Sequence, residues 1–261
     1  MTDRILTERD GAIARIVVNQ PEKRNAVTLE MWEAMEAALD RFAGDAGLRV
    51  LILAGAGGRA FVSGADISKF ASERATAEGV KRYGETTTRV YAKLERFPRP
   101  TIAQIDGYCI GGGVALAVCC DIRLCAADSQ FAIPAAKLGL GYGYAGIRRL
   151  VRIVGPAFAK EIFFTARRFS AEEAAAMGLV NRILPAGGVE AGARAMAETI
   201  AANAPLTVDS VKAIIDAAAG DESARDLARY EALVQACFAS ADYEEGRRAF
   251  LEKRKPVFRG A

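Results

Sequence analysis

Strand-like and helical patterns alternate along the first part of the chain. Residues 5–9 and 13–19 are short β-like runs around Asp10-Gly11, a dipeptide that favours a tight turn, so they predict a β-hairpin. From Thr28 onward, large apolar residues recur every three or four positions until Gly44, which predicts an amphipathic helix with a capping residue at its start and a stop signal at its end. The chain therefore opens with a hairpin followed by a helix.

The alternation continues to about residue 185. Continuous apolar runs at 50–54, 101–105 and 122–126 predict buried strands. Helical patterns occupy 75–97 and 111–119. Strands that alternate with helices in this way are typical of an α/β core.

The last third of the chain has a different pattern. From about residue 189 to 254 it is almost entirely helical and rich in Ala, Glu and Arg. A turn, Pro185-Ala-Gly-Gly188, separates it from the alternating part. We therefore predict an α/β core over residues 1–188 and a helical region over residues 189–261.

Composition places the protein among ordinary globular chains. Its 261 residues are 51% hydrophobic and 26% charged, long enough to bury a large core without disulfides or a metal. The net charge of +3 is too small to indicate a nucleic-acid partner. The first ten residues lack the apolar core of a signal peptide, and no stretch reaches membrane-spanning length, so we expect a cytoplasmic protein without membrane contact.

The side-chain inventory restricts the possible chemistry. The chain has no histidine, which excludes Ser-His-Asp and Cys-His nucleophiles and every histidine-containing metal site. Its five cysteines are an odd number without a Cys-x-x-Cys pair, a usage typical of buried thiols in a reducing compartment. Proton transfer must therefore come from carboxylates, tyrosines, lysines or cysteines, and we expect no metal.

Two glycine-rich turns are the first candidates for a site. Residues 61–67 (FVSGADI) and 106–113 (DGYCIGGG) each follow a strand and lead into a helix. Small residues let a ligand approach the main chain, and two N–H groups converging on one oxygen would stabilise an oxyanion. Two simpler explanations stay open: an ordinary turn capped by Asp66, and close helix packing at the triple glycine.

Six motifs, taken in order, resemble the crotonase superfamily, the enoyl-CoA hydratase/isomerase family. They are NQPEKRNA at 19–26, SGAD at 63–66, GYCIGGG at 107–113, CDIR at 120–123, AAAMGLVN at 174–181 and FLEKRK at 250–255. The resemblance spans essentially the whole chain. It implies an α/β fold, a crotonase-type spiral of ββα units, with a C-terminal helical region that makes trimers, often paired into hexamers.

The same resemblance implies an enzyme of fatty-acid-type metabolism whose substrate is an acyl-CoA thioester, with no cofactor apart from the coenzyme A of the substrate. Its oxyanion amides correspond to Ala65 and Gly112. Lys253 and Lys255 are implied as ligands of the CoA phosphates, although a solvated helix end explains them equally well. The implied substrate-binding residues are Arg24, Ala26, Ala65, Asp66, Ile67, Ser68, Gly112, Lys253 and Lys255.

The chain departs from the hydratase pattern at two positions. The two glutamates that hydratases of this family use fall at Ala115 and Ala135. A methyl group can neither accept nor deliver a proton, so the two-glutamate route of hydration is in doubt. Glu85 and Asp66 are other acids that neighbouring segments could supply.

A tyrosine pair stands nearby instead. The stretch LGYGYAGI at 140–147 is similar to that of methylmalonyl-CoA decarboxylases, which have a tyrosine at the place of Tyr142 but a histidine where this chain has Ala65. Loss of CO₂ itself generates an enolate, and a phenol can position the carboxylate or help protonation. Packing at a pocket wall would also explain Tyr142 and Tyr144.

The resulting predictions name Ala65, Gly112 and Tyr142 as catalytic. The leading function is an enoyl-CoA hydratase/isomerase-family enzyme that stabilises a thioester enolate. The alternatives are a decarboxylase of a malonyl-type CoA and a protein that binds acyl-CoA without converting it. Four further residues could line an acyl pocket or form core, with core the simpler expectation: Ile67, Phe70, Tyr83 and Tyr91.

Overall fold

Two β-sheets form the centre of the protein, in a computed structural model that describes residues 3–73 and 75–261. The strands, in chain order, are β1 (Ile5–Asp10), β2 (Ile13–Val18), β3 (Val50–Gly55), β4 (Ala60–Val62), β5 (Thr101–Ile105), β6 (Tyr108–Ile110), β7 (Ile122–Ala126), β8 (Gln130–Ala132), β9 (Phe169–Ser170) and β10 (Arg182–Leu184). The larger sheet has the order β1-β2-β3-β5-β7-β10, and the smaller has the order β4-β6-β8-β9.

Helices surround both sheets. They are α1 (Leu29–Ala43), α2 (Phe70–Glu73), α3 (Ala77–Glu95), α4 (Gly112–Ala117), α5 (Tyr144–Thr165), α6 (Ala171–Ala176), α7 (Val189–Ala201), α8 (Pro205–Ala218), α9 (Leu227–Phe238) and α10 (Ala241–Leu251). Short 3₁₀ turns occur at Pro21–Lys23, Ile67–Lys69, Pro134–Leu138 and Glu222–Ala224. No helix of the described chain is both long and apolar enough to span a membrane.

Local signals account for the elements that the sequence predicts. β1 and β2 form the expected antiparallel hairpin, and β3, β5 and β7 are the three predicted buried strands, paired in parallel. Thr28 caps α1 by accepting a hydrogen bond from Met31 N at 3.3 Å. Thr76 does the same for α3 through Gly79 N at 3.0 Å, so α3 begins two residues later than predicted.

The smaller sheet is the main feature that sequence patterns do not reveal. Its strands are three residues long or shorter. Such runs are too short to show a period of two, so they are recognisable only from their pairing. The β4 and β6 strands pair in parallel, and each leads directly into one of the two glycine-rich turns. This pairing places the two turns side by side.

Two apolar clusters pack against the larger sheet. One lies beneath α1 and α3 and includes Trp32, which is fully buried. The other lies under α7, where Val189, Ala193 and Ala197 are inaccessible. The first helix after residue 188 thus covers one face of the core sheet. Several large apolar side chains of the helices that follow α7 are exposed, among them Ile215, Leu227, Phe238, Phe250 and Leu251.

Candidate active site

The turn around Ala65 is bonded to the segment that follows the hairpin. Val27 N donates to Gly64 O at 2.8 Å, and Asp66 N donates to Val27 O at 3.0 Å, which forms a short parallel bridge. Because Val27 bonds to the residues on either side of Ala65, the N–H of Ala65 points away from this bridge. In the described chain no carbonyl accepts a backbone hydrogen bond from it. A half-buried N–H is therefore available at the turn.

A buried amide holds the Arg24–Ala26 segment in place. Asn25 has a left-handed backbone (φ 57°), and its side chain is fully buried. Its Oδ1 accepts from Gln20 N at 2.9 Å, and its Nδ2 donates to Ala60 O at 2.6 Å, which ties the segment to β4. The sequence analysis did not predict this positioning role of Asn25. The signal that could have indicated it is an Asn that follows a turn beginning with Pro.

Asp66 joins the same two segments by charge. Its carboxylate accepts from Lys23 Nζ at 2.8 Å and from Ser68 Oγ at 2.6 Å. Burial opposes ionisation, but the hydrogen bonds from Lys23 and Ser68 outweigh it and lower the pKa of Asp66. Asp66 is thus a bound carboxylate that orders the turn. Ile67, in contrast, is 62% exposed, so it is not a core residue.

The second turn approaches the first through glycines. Gly64 has φ +105°, and a Cβ placed on it would lie 3.4 Å from Ile110 O and 3.8 Å from Gly112 N. A Cβ on Gly113 would collide with the carbonyl oxygen of Val62 at the end of β4. Only glycine permits this approach of the two main chains. The triple glycine therefore serves close packing as well as exposure of the backbone.

Gly112 supplies a second N–H. It is the first residue of α4, so its N–H has no partner within that helix, and the residue is half-buried. Gly64, which directly precedes Ala65, lies against it. Ala65 and Gly112 are thus close to one another, and each has an N–H without a backbone acceptor in the described chain. Two such neighbouring donors are the kind of arrangement that can hydrogen-bond one oxygen of a ligand.

Tyr91 of α3 also lies beside Gly112. A Cβ on Gly112 would lie 3.5 Å from Tyr91 Oη and 3.9 Å from Trp32 Cζ2. The Tyr91 ring packs edge-on against Trp32, with centroids 5.4 Å apart and an interplanar angle of 77°. Tyr83, one of the other residues considered for a pocket, is buried and accepts from Trp32 Nε1 at 2.9 Å. The side chain of Phe70 lies outside the described part of the structure.

Tyr142 lies near enough to Tyr91 to contribute to the raised pKa of that phenol. Its ring packs edge-on against Phe163 at 4.9 Å. A Cβ on Gly146 would lie 2.9 Å from Tyr142 Cε1, so the glycine in the first turn of α5 makes room for the ring. Burial raises the pKa of Tyr142 to about 12, with a contribution from Cys119. Tyr144, in contrast, is 79% exposed.

Neither phenol has a carboxylate partner in the part of the chain that the structure describes. In the described chain no hydrogen bond is made by the hydroxyl of Tyr91 or of Tyr142. Ala115 and Ala135 are both buried. Glu85, considered above as an acid, has a 57% exposed side chain and lies 3.9 Å from Lys81 on the surface of α3. Among the described residues, therefore, no carboxylate hydrogen-bonds either phenol.

The remaining residues predicted to bind substrate are Arg24, Ala26, Ser68, Lys253 and Lys255. Arg24 has an exposed side chain whose guanidinium lies over the ring of Tyr108, 5.0 Å from its centroid. Ala26 is buried, and Ser68 is exposed beside Asp66. Lys253 and Lys255 lie beyond α10, and within the described chain neither ammonium group makes a hydrogen bond or an ion pair.

The comparisons with known proteins agree with this fold. The model of the enoyl-CoA hydratase/isomerase family matches residues 8–261. The short-chain-enoyl-CoA hydratase of Clostridium acetobutylicum is 34% identical over 251 residues, 96% of this chain and 95% of that protein. The crotonyl-CoA hydratase of Syntrophomonas wolfei is 33% identical over 98% of both chains. The crystal structure of an enoyl-CoA hydratase/carnithine racemase from Magnetospirillum magneticum has a TM-score of 0.92 and 39% identity, covering 100% of this chain and 97% of that chain.

Parallel sheets of this kind, followed by C-terminal helices, define a crotonase-type α/β protein, as the motifs predicted. The chain belongs to the enoyl-CoA hydratase/isomerase family of the crotonase superfamily. The structure from M. magneticum covers 100% of this chain, so the likeness includes both glycine-rich turns and the C-terminal helices.

Proposed function

We propose that the protein binds an acyl-CoA thioester and stabilises its enolate with the N–H groups of Ala65 and Gly112. The approach of Gly64 to Gly112 N, with the Ala65 N–H turned away from its bridge, carries this proposal. A thioester carbonyl between two N–H donors becomes more polarised, and the negative charge that develops on its oxygen is stabilised without reorganisation. The α-carbon then reacts as a carbanion equivalent.

Hydration is the first reaction to test, because the relatives from C. acetobutylicum and S. wolfei are named hydratases. The chain's own residues do not support the two-glutamate route. Ala115 and Ala135 stand where the family's glutamates are expected, and both methyl groups are buried. Hydration would therefore require a different proton donor and a different group to orient water.

Decarboxylation of a malonyl-type CoA is the second candidate, and Tyr142 favours it. The C–C bond to the carboxylate breaks, CO₂ leaves with no base required, and the electron pair forms the enolate that Ala65 and Gly112 hold. The half-buried Tyr142 hydroxyl has no hydrogen-bond partner among the described residues, so it is free to donate to the departing carboxylate. A tyrosine hydroxyl is protonated at neutral pH, and burial, which raises the pKa of Tyr142 to about 12, favours that form further.

A panel of CoA thioesters followed by mass distinguishes these reactions. Gain of water on crotonyl-CoA identifies a hydratase, and loss of CO₂ from methylmalonyl-CoA identifies a decarboxylase. Trp32, the only tryptophan of the chain, packs on Tyr91 beside Gly112, so its fluorescence reports binding independently of turnover. Binding without any product would support an acyl-CoA-binding protein and would refute the enzymatic proposal.

Matched variants test the role of Tyr142. Tyr142→Phe removes one hydroxyl, and a hydrogen bond to a charged group contributes about 1.5–3 kcal/mol, so kcat/KM for methylmalonyl-CoA should fall by about 10- to 100-fold. Tyr144→Phe makes the same change on an exposed ring and should leave the rate unchanged. Equal rates for both variants would refute a role for Tyr142.

The remaining parts of the proposal concern coenzyme A and assembly. The main chain at Arg24 and Ala26, together with Ile67 and Ser68, is proposed to hold the CoA moiety, and Lys253 and Lys255 its phosphates. Exposed apolar residues of the C-terminal helices support a trimer or hexamer, which light scattering would measure. A cytoplasmic location is also proposed.

A further inference from the structure

We propose that Tyr91 is the proton donor to the α-carbon of the enolate. This inference rests on the proposed acyl-CoA chemistry and applies to either candidate reaction, because hydration and decarboxylation both end with a new C–H bond at that carbon. The geometry that carries it is the position of Tyr91 Oη, 3.5 Å from the place of a methyl group on Gly112.

The position of the hydroxyl matches the place where the α-carbon must lie. If the N–H groups of Ala65 and Gly112 hold the thioester oxygen, the carbonyl carbon and the α-carbon bonded to it lie directly beside Gly112. Tyr91 Oη borders that same space. The edge-on packing against Trp32 restricts the Tyr91 ring, so its hydroxyl group stays beside Gly112.

The hydroxyl is also unoccupied by the protein. Tyr91 is only half-buried and packs against the core, yet its Oη has no hydrogen-bond partner among the described residues. Polar groups in such positions are normally satisfied, by protein, water or a ligand. Tyr83 on the same helix differs, because its oxygen already accepts from Trp32 Nε1 at 2.9 Å. Tyr91 is thus free to interact with a substrate.

The neighbouring acids are already bound. Cys119 Sγ donates to Ala115 O at 3.1 Å, and Glu95 pairs with Arg149 at 2.6 Å. Asp66 is held as a carboxylate by Lys23 and Ser68. Each would have to break these contacts before it could deliver a proton. Tyr142, whose hydroxyl also lacks a hydrogen-bond partner among the described residues, is assigned to the carboxylate of a malonyl-type substrate rather than to the α-carbon.

The proton transfer is balanced. The O–H bond of Tyr91 breaks, its proton and the enolate π electron pair form the new C–H bond at the α-carbon, and the thioester C=O is restored. The phenolate that remains takes a proton from water. Burial, together with Tyr142, Cys119 and Tyr83, raises the pKa of Tyr91 well above its ordinary value, so the phenol is protonated before reaction and the phenolate is strongly basic afterwards.

The test uses the stereochemistry of the new C–H bond. In D₂O the wild-type enzyme should place deuterium on one face of the α-carbon, whether the substrate is methylmalonyl-CoA or crotonyl-CoA. Tyr91→Phe keeps the ring against Trp32 and loses only the oxygen. Turnover should fall by about 10²- to 10⁴-fold, the usual contribution of a general acid, and the remaining product should carry label on both faces because water delivers the proton.

Fluorescence of Trp32 completes the design. A Tyr91→Phe variant that binds butyryl-CoA like the wild type but forms no measurable product also supports the inference. Product labelled on a single face by the variant, at any rate, overturns it. If Tyr91→Phe does not fold, Tyr91→Trp, which also lacks the hydroxyl, is read by the same labelling criterion. If the wild type itself converts neither thioester, the proposed function fails first.

Discussion

Alanine substitutions at the adjacent glycines Gly112 and Gly113 should affect different properties. A Cβ on Gly112 would make ordinary contacts, 3.5 Å to Tyr91 Oη and 3.7 Å to Gly64 Cα. A Cβ on Gly113 would collide with Val62 O and lie 3.0 Å from Val62 C. Gly113→Ala should therefore damage the fold, whereas Gly112→Ala should leave the fold intact and damage the site.

The magnitudes follow from these contacts. Overpacking against a buried backbone costs about 3 kcal/mol or more, which for a chain of this size lowers the melting midpoint by about 10 °C. Gly112 is the first residue of α4, and its backbone conformation is one that alanine can adopt. The free energy of unfolding of Gly112→Ala should therefore stay the same or rise by about 0.5 kcal/mol. In the proposed binding mode its methyl group fills the space of the thioester carbonyl, and a displacement of about 1 Å lowers turnover about 10²-fold.

Thermal unfolding followed by circular dichroism and kcat/KM on the converted thioester are the two measurements. The expected result is a stable, nearly inactive Gly112→Ala and an unstable Gly113→Ala. Wild-type kcat/KM in Gly112→Ala would refute the placement of the acyl group beside Gly112. Wild-type stability in Gly113→Ala would refute the close approach of β4 to α4.

Three further predictions concern other parts of the chain. In Gly146→Ala the new Cβ would lie 2.9 Å from the ring of Tyr142 and displace it. The value of kcat/KM for methylmalonyl-CoA should therefore fall as in Tyr142→Phe, although the hydroxyl is kept. Unchanged kinetics would contradict this role of Gly146 in positioning the ring. Of the five cysteines, all of which lie among the described residues, four are buried and Cys237 is half-buried. A thiol reagent should therefore label Cys237 alone in the native protein and all five cysteines after unfolding, and rapid native labelling of a second cysteine would contradict this burial. Hydrogen bonds from Arg254 hold the pKa of Glu245 well below its ordinary value of 4.5. The C-terminal tail should therefore stay docked above pH 4.5 and loosen only as the pH falls below 4.5, because protonation of Glu245 breaks these bonds. Hydrogen exchange of the tail measures this, and loss of protection near neutral pH would contradict it.

Short-range chemistry explains most of what the sequence could predict. A turn-forming Asp10-Gly11 between two β-like runs gives β1 and β2, and Thr28 with its apolar spacing gives α1. These elements depend on residues within a few positions of one another. The α/β class and the family were predicted for the same reason, because motifs and patterns are local in the sequence.

The candidate site depends on contacts between distant segments. Ala65 and Gly112 were named from the resemblance, but the free N–H of Ala65 results from its bridge to Val27, and the nearness of Gly112 results from the pairing of β4 with β6. These strands are too short to show a periodic pattern. The contact of Lys253 with the CoA phosphates stays a prediction, since its ammonium group makes no hydrogen bond or ion pair in the described chain.

By itself the sequence determined the local elements, the family and the absence of histidine chemistry, because each depends only on neighbouring residues or on composition. Only the tertiary structure decided that Tyr91 borders Gly112 and that Glu85, six positions earlier on α3, is exposed on the surface. A helical pattern shows which residues share a face. Which of them meets a glycine from another element is fixed by how α3 packs on the rest of the fold, and that depends on all the contacts of the core together.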